Sequence, residues 1–278
     1  MTASQNFASP PPSTSFTKIS FPKPHVLLVV LSRPKSLNCI NSAGHRELDE
    51  IWKWLDNEPS MRVGIVTGEG RAFCAGADLK ELSEWNTNNA TGRSRGFLPS
   101  GFGALSTRTG KKPIIAAVNG ICFGGGMEIA INLDIVLASP QATFGLPEVK
   151  RGVVAVAGAL PRLVRTVGKQ RAMEMALLGR AYSAEEMLAW GLVNKVVPAD
   201  SLIEEAVQWA TEIASNSPDS VIVSREGVKI GWESLSAQAG TEMLAQTWFS
   251  RINQGENMKE GVRAFVEKRA PRWRDSKL

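Results

Sequence analysis

Two glutamates are candidates for acid–base chemistry. Glu128 follows three consecutive glycines inside the apolar stretch "FGGGMEIAI" (123 to 131), and Glu148 lies twenty residues further on in "FGLPEVKRGV" (144 to 153). An unpaired buried carboxylate is costly, so an acid in an apolar run fits an ordinary surface or helix-start charge poorly. Two carboxyl groups brought together can hold a water molecule, one accepting its proton while the other donates. The pair therefore predicts proton-transfer chemistry.

Two glycine-containing turns each follow a strand-like run and lead into a predicted helix. They are "RAFCAGADLKEL" (71 to 82) and "NGICFGGGMEIAI" (119 to 131). Glycine permits close backbone approach, and a helix N-terminus leaves free N–H groups with a partial positive charge. Together the turns can aim two N–H donors at one oxygen, which is an oxyanion hole. An isolated GGG more often marks a tight turn, and no GxxxxGK[ST] or GxGxxG nucleotide loop is present.

The composition is typical of one globular domain with an appendage, with 278 residues, 43% of them hydrophobic and 21% charged. No stretch approaches the roughly 18 uninterrupted apolar residues of a membrane helix, so no membrane partner is expected. Cys39, Cys74 and Cys122 form no CxxC pair, which indicates neither zinc nor a disulfide framework. The two histidines, His25 and His45, leave little room for Ser-His or Cys-His catalysis.

The charge leaves a second class of function open. A formal net charge of +5 and a pI near 9.2 would suit a polyanionic partner. Lysine and arginine are dispersed, however, and a single tyrosine offers few platforms for base stacking. RNA binding is therefore an alternative that the sequence does not favour, and a small phosphorylated ligand would use the same charge.

Short β-branched runs alternate with helical patterns. The runs at residues 25–33, 62–68, 113–120 and 134–139 predict buried strands, and residues 43–58 predict an amphipathic helix. This alternation indicates α/β layering. After about residue 200 the strand signals fade and helical spacing dominates.

The same patterns divide the chain. We expect a disordered N-terminal tail over residues 1–14, a core over 15–200 that carries the site, and a helical C-terminal region over 201–275. The polar, Gly-rich interruption at residues 83–111 is expected to help form a pocket. Its candidate pocket walls, for which loop anchoring is the alternative, are Trp85, Phe97, Phe102 and Leu105.

From about Arg33 to Lys268 the chain resembles the crotonase superfamily, the enoyl-CoA hydratase/isomerase family. The resemblance is carried, in the family's order, by "RPKSLNCIN", "GRAFCAGADLKEL", "PIIAAVNGICFGGGMEIAINLDIVLAS", "FGLPEVKRG" and "GLVNKVVP". Five segments in order are far more specific than one motif. The resemblance implies an α/β fold with a crotonase (ClpP-like) ββα-spiral core and a C-terminal helical trimerisation region.

The resemblance also implies roles for individual residues. The N–H groups of Ala77 and Gly125 would form the oxyanion hole for a thioester oxygen, and Glu128 and Glu148 would be catalytic. The residues implied to contact coenzyme A are Arg33, Lys35, Ala75, Asp78, Leu79 and Lys80. Phe265 and Lys268 would approach the coenzyme A of a neighbouring subunit, because family members are homotrimers or homohexamers.

Since members of the family that the chain resembles divide by which acids they keep, possession of both implies a hydratase or dehydratase acting on the C2–C3 bond of an acyl-CoA thioester. The resemblance places such an enzyme in peroxisomal β-oxidation or in a siderophore or toxin pathway. Δ3-Δ2 isomerisation is the alternative, since one carboxylate suffices to move a proton. No cofactor is expected, because coenzyme A is part of the substrate. One departure lies after Gly152, where "VVAVAGALPRL" (153 to 163) replaces the Pro-Gly-containing loop of hydratases.

The final tripeptide, Ser276-Lys277-Leu278, matches the peroxisomal C-terminal address. Such an address is read by an import receptor and anchors nothing in a membrane. We therefore expect a peroxisomal location and the import receptor as a partner.

Overall fold

The computed structural model describes residues 7–81, 99–233 and 236–278, which form two β-sheets surrounded by helices. The strands are β1 (Thr17–Lys23), β2 (Val26–Leu31), β3 (Val63–Gly68), β4 (Ala72–Cys74), β5 (Ile114–Val118), β6 (Ile121–Phe123), β7 (Ile135–Ala138), β8 (Thr143–Gly145), β9 (Tyr182–Ser183) and β10 (Lys195–Val196). The helices are α1 (Ser42–Asn57), α2 (Gly125–Asn132), α3 (Ala159–Val167), α4 (Lys169–Leu178), α5 (Ala184–Ala189), α6 (Leu202–Ala214), α7 (Pro218–Trp232), α8 (Ala237–Leu244), α9 (Ser250–Gln254) and α10 (Glu256–Val266).

The chain builds the two sheets alternately, adding strands first to one sheet and then to the other. The larger sheet has the order β1-β2-β3-β5-β7-β10 and the smaller one the order β4-β6-β8-β9. Three consecutive pairs, β3 with β4, β5 with β6, and β7 with β8, each give one strand to the larger sheet and the next to the smaller. This repeated alternation is the ββα spiral that the resemblance implies, and the α/β class of the fold is confirmed. It brings the glycine turns after β4 and β6 to the same edge.

The core explains why these runs are strands. Every residue of β3 and β5 is buried, because the larger sheet is covered on one side by α6 and packs on its other side against α1 and the smaller sheet. Helix α1 turns Leu48, Ile51 and Leu55 inward at helical spacing. The side chain of Asn41 begins this helix by accepting a hydrogen bond from the Gly44 N–H.

The C-terminal region is helical as the sequence predicts, with one difference. Residues 236–252 show a single helical pattern, yet the chain forms α8, a π-helical turn at Ala245–Phe249, and α9. Helix α6 packs on the core, whereas α10 leaves apolar side chains exposed.

The described part of the N-terminal tail differs from the prediction of disorder over residues 1–14. The backbone N–H groups of Ala8 and Ser9 donate to the buried Glu58 carboxylate at 3.1 and 3.0 Å. The Phe7 ring lies 5.3 Å from the Trp54 ring, whose indole N–H donates to the Ser9 carbonyl. Two features together hold residues 7–9, whose composition alone indicated disorder. One is the buried Glu58 carboxylate, which needs hydrogen-bond donors, and the other is the aromatic cluster around Trp54.

Over the three described stretches, none of the helices combines the length and the apolar character that crossing a bilayer demands.

Candidate active site

A cavity of about 1000 Å³ opens where the glycine turns meet the segment after β8. The predicted site residues that line it are Arg33, Lys35, Ala75, Ala77, Asp78, Leu79, Lys80, Gly125, Glu128 and Glu148. Phe265 and Lys268 do not line this cavity. Phe265 lies on α10 with 85% of its surface exposed, and contact of these two residues with a neighbouring subunit's ligand stays a prediction.

Gly76 brings the two glycine turns into contact. Its φ is +102°, and a Cβ at this position would lie 3.2 Å from both the Gly125 nitrogen and the Phe123 oxygen. A side chain here would therefore be strained and would push the turns apart. The close approach places the backbone on either side of Gly76 beside the N-terminus of α2.

The N–H of Ala77 takes no part in the hydrogen bonds that join residues 75–78 to residues 37–40. The N–H groups of Ala75 and Asp78 donate to the carbonyls of Leu37 and Ile40, at 3.0 and 3.2 Å. Ala77 lies between these two bonded groups. Since Gly125 is the first residue of α2, its N–H also has no acceptor within the helix. The geometry is compatible with the predicted pair of donors.

Each of the three consecutive glycines meets a different neighbour. A Cβ on Gly124 would lie 3.1 Å from the Glu148 Oε1, and one on Gly125 would lie 2.4 Å from the Phe102 ring. A Cβ on Gly126 would lie 2.1 Å from the Cys74 carbonyl oxygen. The bare backbone therefore lets the start of α2 contact one acid, one aromatic wall and strand β4 at the same time.

Glu128 is an enclosed acid on the first turn of α2. Only 4% of its surface is exposed, and its Oε1 accepts a hydrogen bond from the Ala159 N–H at 3.3 Å. Burial raises the pKa of the Glu128 carboxyl from 4.5 to about 7, and the charge of Glu148 raises it too. Backbone N–H groups of residues 157–159 oppose this by stabilising the carboxylate. Such a group can exchange a proton near neutral pH.

Glu148 is the second acid of the cavity, on a 3-10 turn, Pro147–Arg151, that follows β8. Its Oε2 is enclosed and finds no hydrogen-bond partner in the described stretches of the chain. Burial raises the pKa of the Glu148 carboxyl, while the charge of Arg151 lowers it. An enclosed, unpartnered carboxyl oxygen at the wall of a cavity is suited to hold or deliver a proton.

The altered loop after Gly152 has two functions in this geometry. Its last residues, 157–159, present their backbone N–H groups to Glu128. Its first residues line the cavity with apolar side chains, since Val153, Val154 and Val156 are exposed by 39%, 61% and 65%. The loop departs from the Pro-Gly pattern yet still supports the acid, and the valines give the cavity an apolar wall.

The other cavity walls include aromatic rings that the sequence only partly identified. Phe102 lines the cavity, whereas Leu105 is buried outside its lining, and Trp85 and Phe97 lie outside the described residues. His45 also lines the cavity, with its ring edge-on to Phe102 at 4.7 Å. Its Nδ1 accepts a hydrogen bond from the Gly103 N–H at 3.1 Å. The amphipathic pattern of α1 does not indicate that His45 lines a cavity.

The outer part of the cavity is basic. Lys35 and Lys80 are exposed there, and they are joined by Arg46 and Arg151, which in the sequence look like ordinary charges on a helix or turn. Arg33 donates two hydrogen bonds of 3.1 Å to the Asp78 carboxylate, and both residues are partly buried. The cluster of exposed cations favours a polyanionic ligand.

Within the described ranges, no group of three or more His, Cys, Asp or Glu side chains is placed to hold a metal ion.

Comparisons with known proteins agree with this geometry. The model of the family described as enoyl-CoA hydratase/isomerase matches residues 23–276. The chain is 55% identical to the mevalonyl-coenzyme A hydratase of Beauveria bassiana, over 98% of this chain and 99% of the relative. It is 53% identical to the mevalonyl-coenzyme A hydratase of Aspergillus fumigatus, over 96% of this chain and 98% of the relative.

Solved structures give the same result. An enoyl-CoA hydratase from Mycobacterium tuberculosis has a TM-score of 0.85 at 31% identity, covering 94% of this chain and 99% of the solved one. An enoyl-CoA hydratase from Bacillus anthracis has a TM-score of 0.83 at 32% identity, covering 94% and 100%. The chain therefore belongs to the enoyl-CoA hydratase/isomerase family.

Proposed function

We propose that the protein adds water to, or removes it from, the C2–C3 bond of an acyl-CoA thioester. The observation that carries this proposal is the presence of two carboxyl groups with raised pKa in one cavity beside the start of α2, the buried Glu128 and the partly buried Glu148. Water addition needs one group that accepts a proton and another that donates one. The raised pKa of Glu128, about 7, suits such an exchange at neutral pH.

In the proposed reaction, the N–H groups of Ala77 and Gly125 bind the thioester oxygen. Glu128 takes a proton from water while the water oxygen bonds to C3, and the electrons of the double bond move onto the thioester oxygen as an enolate. The enolate collapses as Glu148 delivers its proton to C2. The two N–H donors stabilise charge that develops only in the transition state and the enolate. Dehydration is the same sequence reversed.

We further propose that the acyl group is branched and hydroxylated, and that mevalonyl-CoA is the substrate. Two relatives named mevalonyl-coenzyme A hydratase share 55% and 53% identity with nearly the whole chain. A mevalonyl group carries a hydroxyl and a methyl at C3, so loss of water across C2–C3 is chemically open to it. The exposed valines of the cavity wall offer apolar contact to a C3 methyl group.

A panel of CoA thioesters tests the proposed function. Mevalonyl-CoA, its 2,3-dehydrated form, straight-chain 2-enoyl-CoA and 3-enoyl-CoA are each incubated with the protein, and ultraviolet absorbance of the conjugated thioester is followed. We expect interconversion of the first two with the highest kcat/KM of the panel, and none with Glu128→Gln. Turnover of 3-enoyl-CoA alone would instead assign isomerisation, and absence of all turnover would refute the proposal.

We also propose a homotrimer or homohexamer. Helix α10 exposes Val262, Phe265 and Val266 by 58%, 85% and 73%, and a neighbouring subunit would cover these side chains. Sedimentation velocity should give a mass of three or six chains. A monomer at micromolar concentration would contradict this.

A peroxisomal location is proposed from the tripeptide Ser276-Lys277-Leu278. A fluorescent protein fused to the N-terminus should colocalise with peroxisomes, and removal of Leu278 should leave it diffuse. Peroxisomal signal without Leu278 would contradict a receptor-read address here.

A further inference from the structure

Ser106 is a fully buried serine whose hydroxyl joins two segments that are distant in sequence. It accepts a hydrogen bond from the Phe102 N–H at 2.8 Å and donates one to the Ala157 carbonyl at 2.5 Å. The side chain has no exposed surface. A buried hydroxyl that both accepts and donates fixes the spacing of the two groups it joins, because breaking either bond leaves a buried polar group unsatisfied.

One end of this link holds the backbone that supports Glu128. The N–H groups of residues 157–159 stabilise the Glu128 carboxylate, and that of Ala159 lies 3.3 Å from its Oε1. Residue Ala157 therefore faces Ser106 through its carbonyl, while its N–H helps to stabilise the acid. Because Ala157 and Ala159 are both buried, water is poorly placed to replace the serine.

The other end of the link holds the wall behind the start of α2. The Phe102 ring is so close to Gly125 that a Cβ there would lie 2.4 Å from it. Phe102 is itself 3% exposed, and its N–H is the group that donates to Ser106. The same hydroxyl thus sets the position of the ring against the predicted oxyanion donor and the position of the 157–159 loop, which supports Glu128.

We propose that Ser106 is a positioning residue for the reaction, which holds the 157–159 backbone on Glu128 in register with the Phe102 wall behind Gly125. This inference rests on the proposed function for its kinetic consequence, and on the contacts of Ser106 alone for its structural one. Ser106 does not line the cavity, so its effect is transmitted through Ala157 and Phe102.

Loss of the hydroxyl has a predictable direction. If residues 157–159 move away, the Glu128 carboxylate loses N–H donors that stabilise its charged form, so the pKa of that carboxyl rises further. The substitution leaves Glu148 and Arg151, the charged groups near Glu128, chemically unchanged. A displaced base lowers kcat far more than it weakens ground-state binding of the thioester.

The test compares Ser106→Ala with Ser139→Ala. Ser139 is also fully buried, and its hydroxyl donates to the Asn119 carbonyl at 3.0 Å, but it does not line the cavity. Both variants lose one buried hydroxyl, so a general effect on packing appears in both. Ser106→Cys keeps a similar shape with a weak donor and serves if the alanine variant does not fold.

We expect kcat on the best thioester of the panel to fall about tenfold or more in Ser106→Ala, with KM changed by less than about threefold. The rising limb of kcat/KM against pH should move to higher pH. Ser106→Cys should lie between Ser106→Ala and the unmodified protein, and Ser139→Ala should match the latter. Equal losses in Ser106→Ala and Ser139→Ala, or no loss in either, would overturn the proposal.

An infrared titration separates this inference from the proposed function. The difference between spectra of the protein with Glu128 and with Glu128→Gln reports protonation of that carboxyl without any substrate. We expect its midpoint at higher pH in Ser106→Ala and unchanged in Ser139→Ala. An unchanged midpoint in both would overturn the role of Ser106, whereas a shifted midpoint without turnover on any thioester would overturn only the proposed function.

Discussion

Replacing Glu128 by glutamine should stabilise the folded protein at alkaline pH while abolishing its activity. The carboxyl is 4% exposed, and burial raises its pKa from 4.5 to about 7. The folded protein therefore binds the Glu128 proton more tightly than the unfolded chain does. Below pH 4.5 both states are protonated and no stability is lost. Between pH 4.5 and 7 the unfolded chain gives up the proton that the folded protein keeps, so stability falls as the pH rises, and the loss is complete once the pH has passed about 7.

The size of the effect follows from the two pKa values. A carboxyl pKa raised from 4.5 to about 7 corresponds to about 3 kcal/mol of lost stability at pH 8. At pH 5 less than about 1 kcal/mol of this has appeared, because that pH lies only just above the pKa of 4.5 that the carboxyl has in the unfolded chain. With an unfolding entropy of about 2 cal/mol/K per residue, the variant should melt about 5 °C higher at pH 8.

Thermal unfolding at pH 5 and pH 8, at one chain concentration, measures this effect. Glu47→Gln is a control of opposite sign. Burial raises the pKa of Glu47, but hydrogen bonds from residues 15–17 outweigh it and hold that pKa below its ordinary value. This stabilisation is present above the unfolded pKa, so Glu47→Gln should melt lower at pH 8. The melting temperatures of Glu128→Gln and the unmodified protein should differ more at pH 8 than at pH 5. An equal difference at both pH values would show that the pKa of Glu128 is not raised in the folded protein.

Three further changes probe the walls of the cavity. Gly76→Ala should lower kcat at least tenfold, because φ is +102° and its Cβ would lie 3.2 Å from the Gly125 nitrogen; a kcat within twofold of the original would contradict the close approach. Val156→Gly should raise KM severalfold for branched but not straight-chain thioesters, as steady-state kinetics on both would show. Lys35→Glu with Lys80→Glu should raise KM for CoA thioesters but leave pantetheine thioesters unchanged; equal changes for both would exclude contact with the nucleotide end.

The sequence predicted much of the fold because its strongest signals are local. Strands β3 and β5 are short apolar runs, and they coincide with predicted strands. Helix α1 follows an amphipathic pattern that begins after an Asn cap. The disordered tail was misjudged over residues 7–14, because the partners that hold this segment, Trp54 and Glu58, lie more than forty residues away.

The sequence predicts which residues form the site, but it does not predict the contacts that hold those residues in place. Glycine turns and acids mark Gly125, Glu128 and Glu148, and the structure brings them to one cavity. The link through Ser106 could not be predicted, since a buried serine gives no periodic signal and its acceptor, Ala157, is 51 residues away. The direction in which a pKa moves depends on burial, which only the assembled fold determines.

The most direct test of water addition by two acids is oxygen-18 incorporation. A 2-enoyl-CoA thioester accepted by the protein is incubated in H₂¹⁸O, and the 3-hydroxyacyl-CoA product is analysed by mass spectrometry. We expect one ¹⁸O at C3 with the unmodified protein, and a rate at least about a hundredfold lower with Glu148→Gln. Turnover without ¹⁸O at C3, or an undiminished rate with Glu148→Gln, would contradict water addition by two acids.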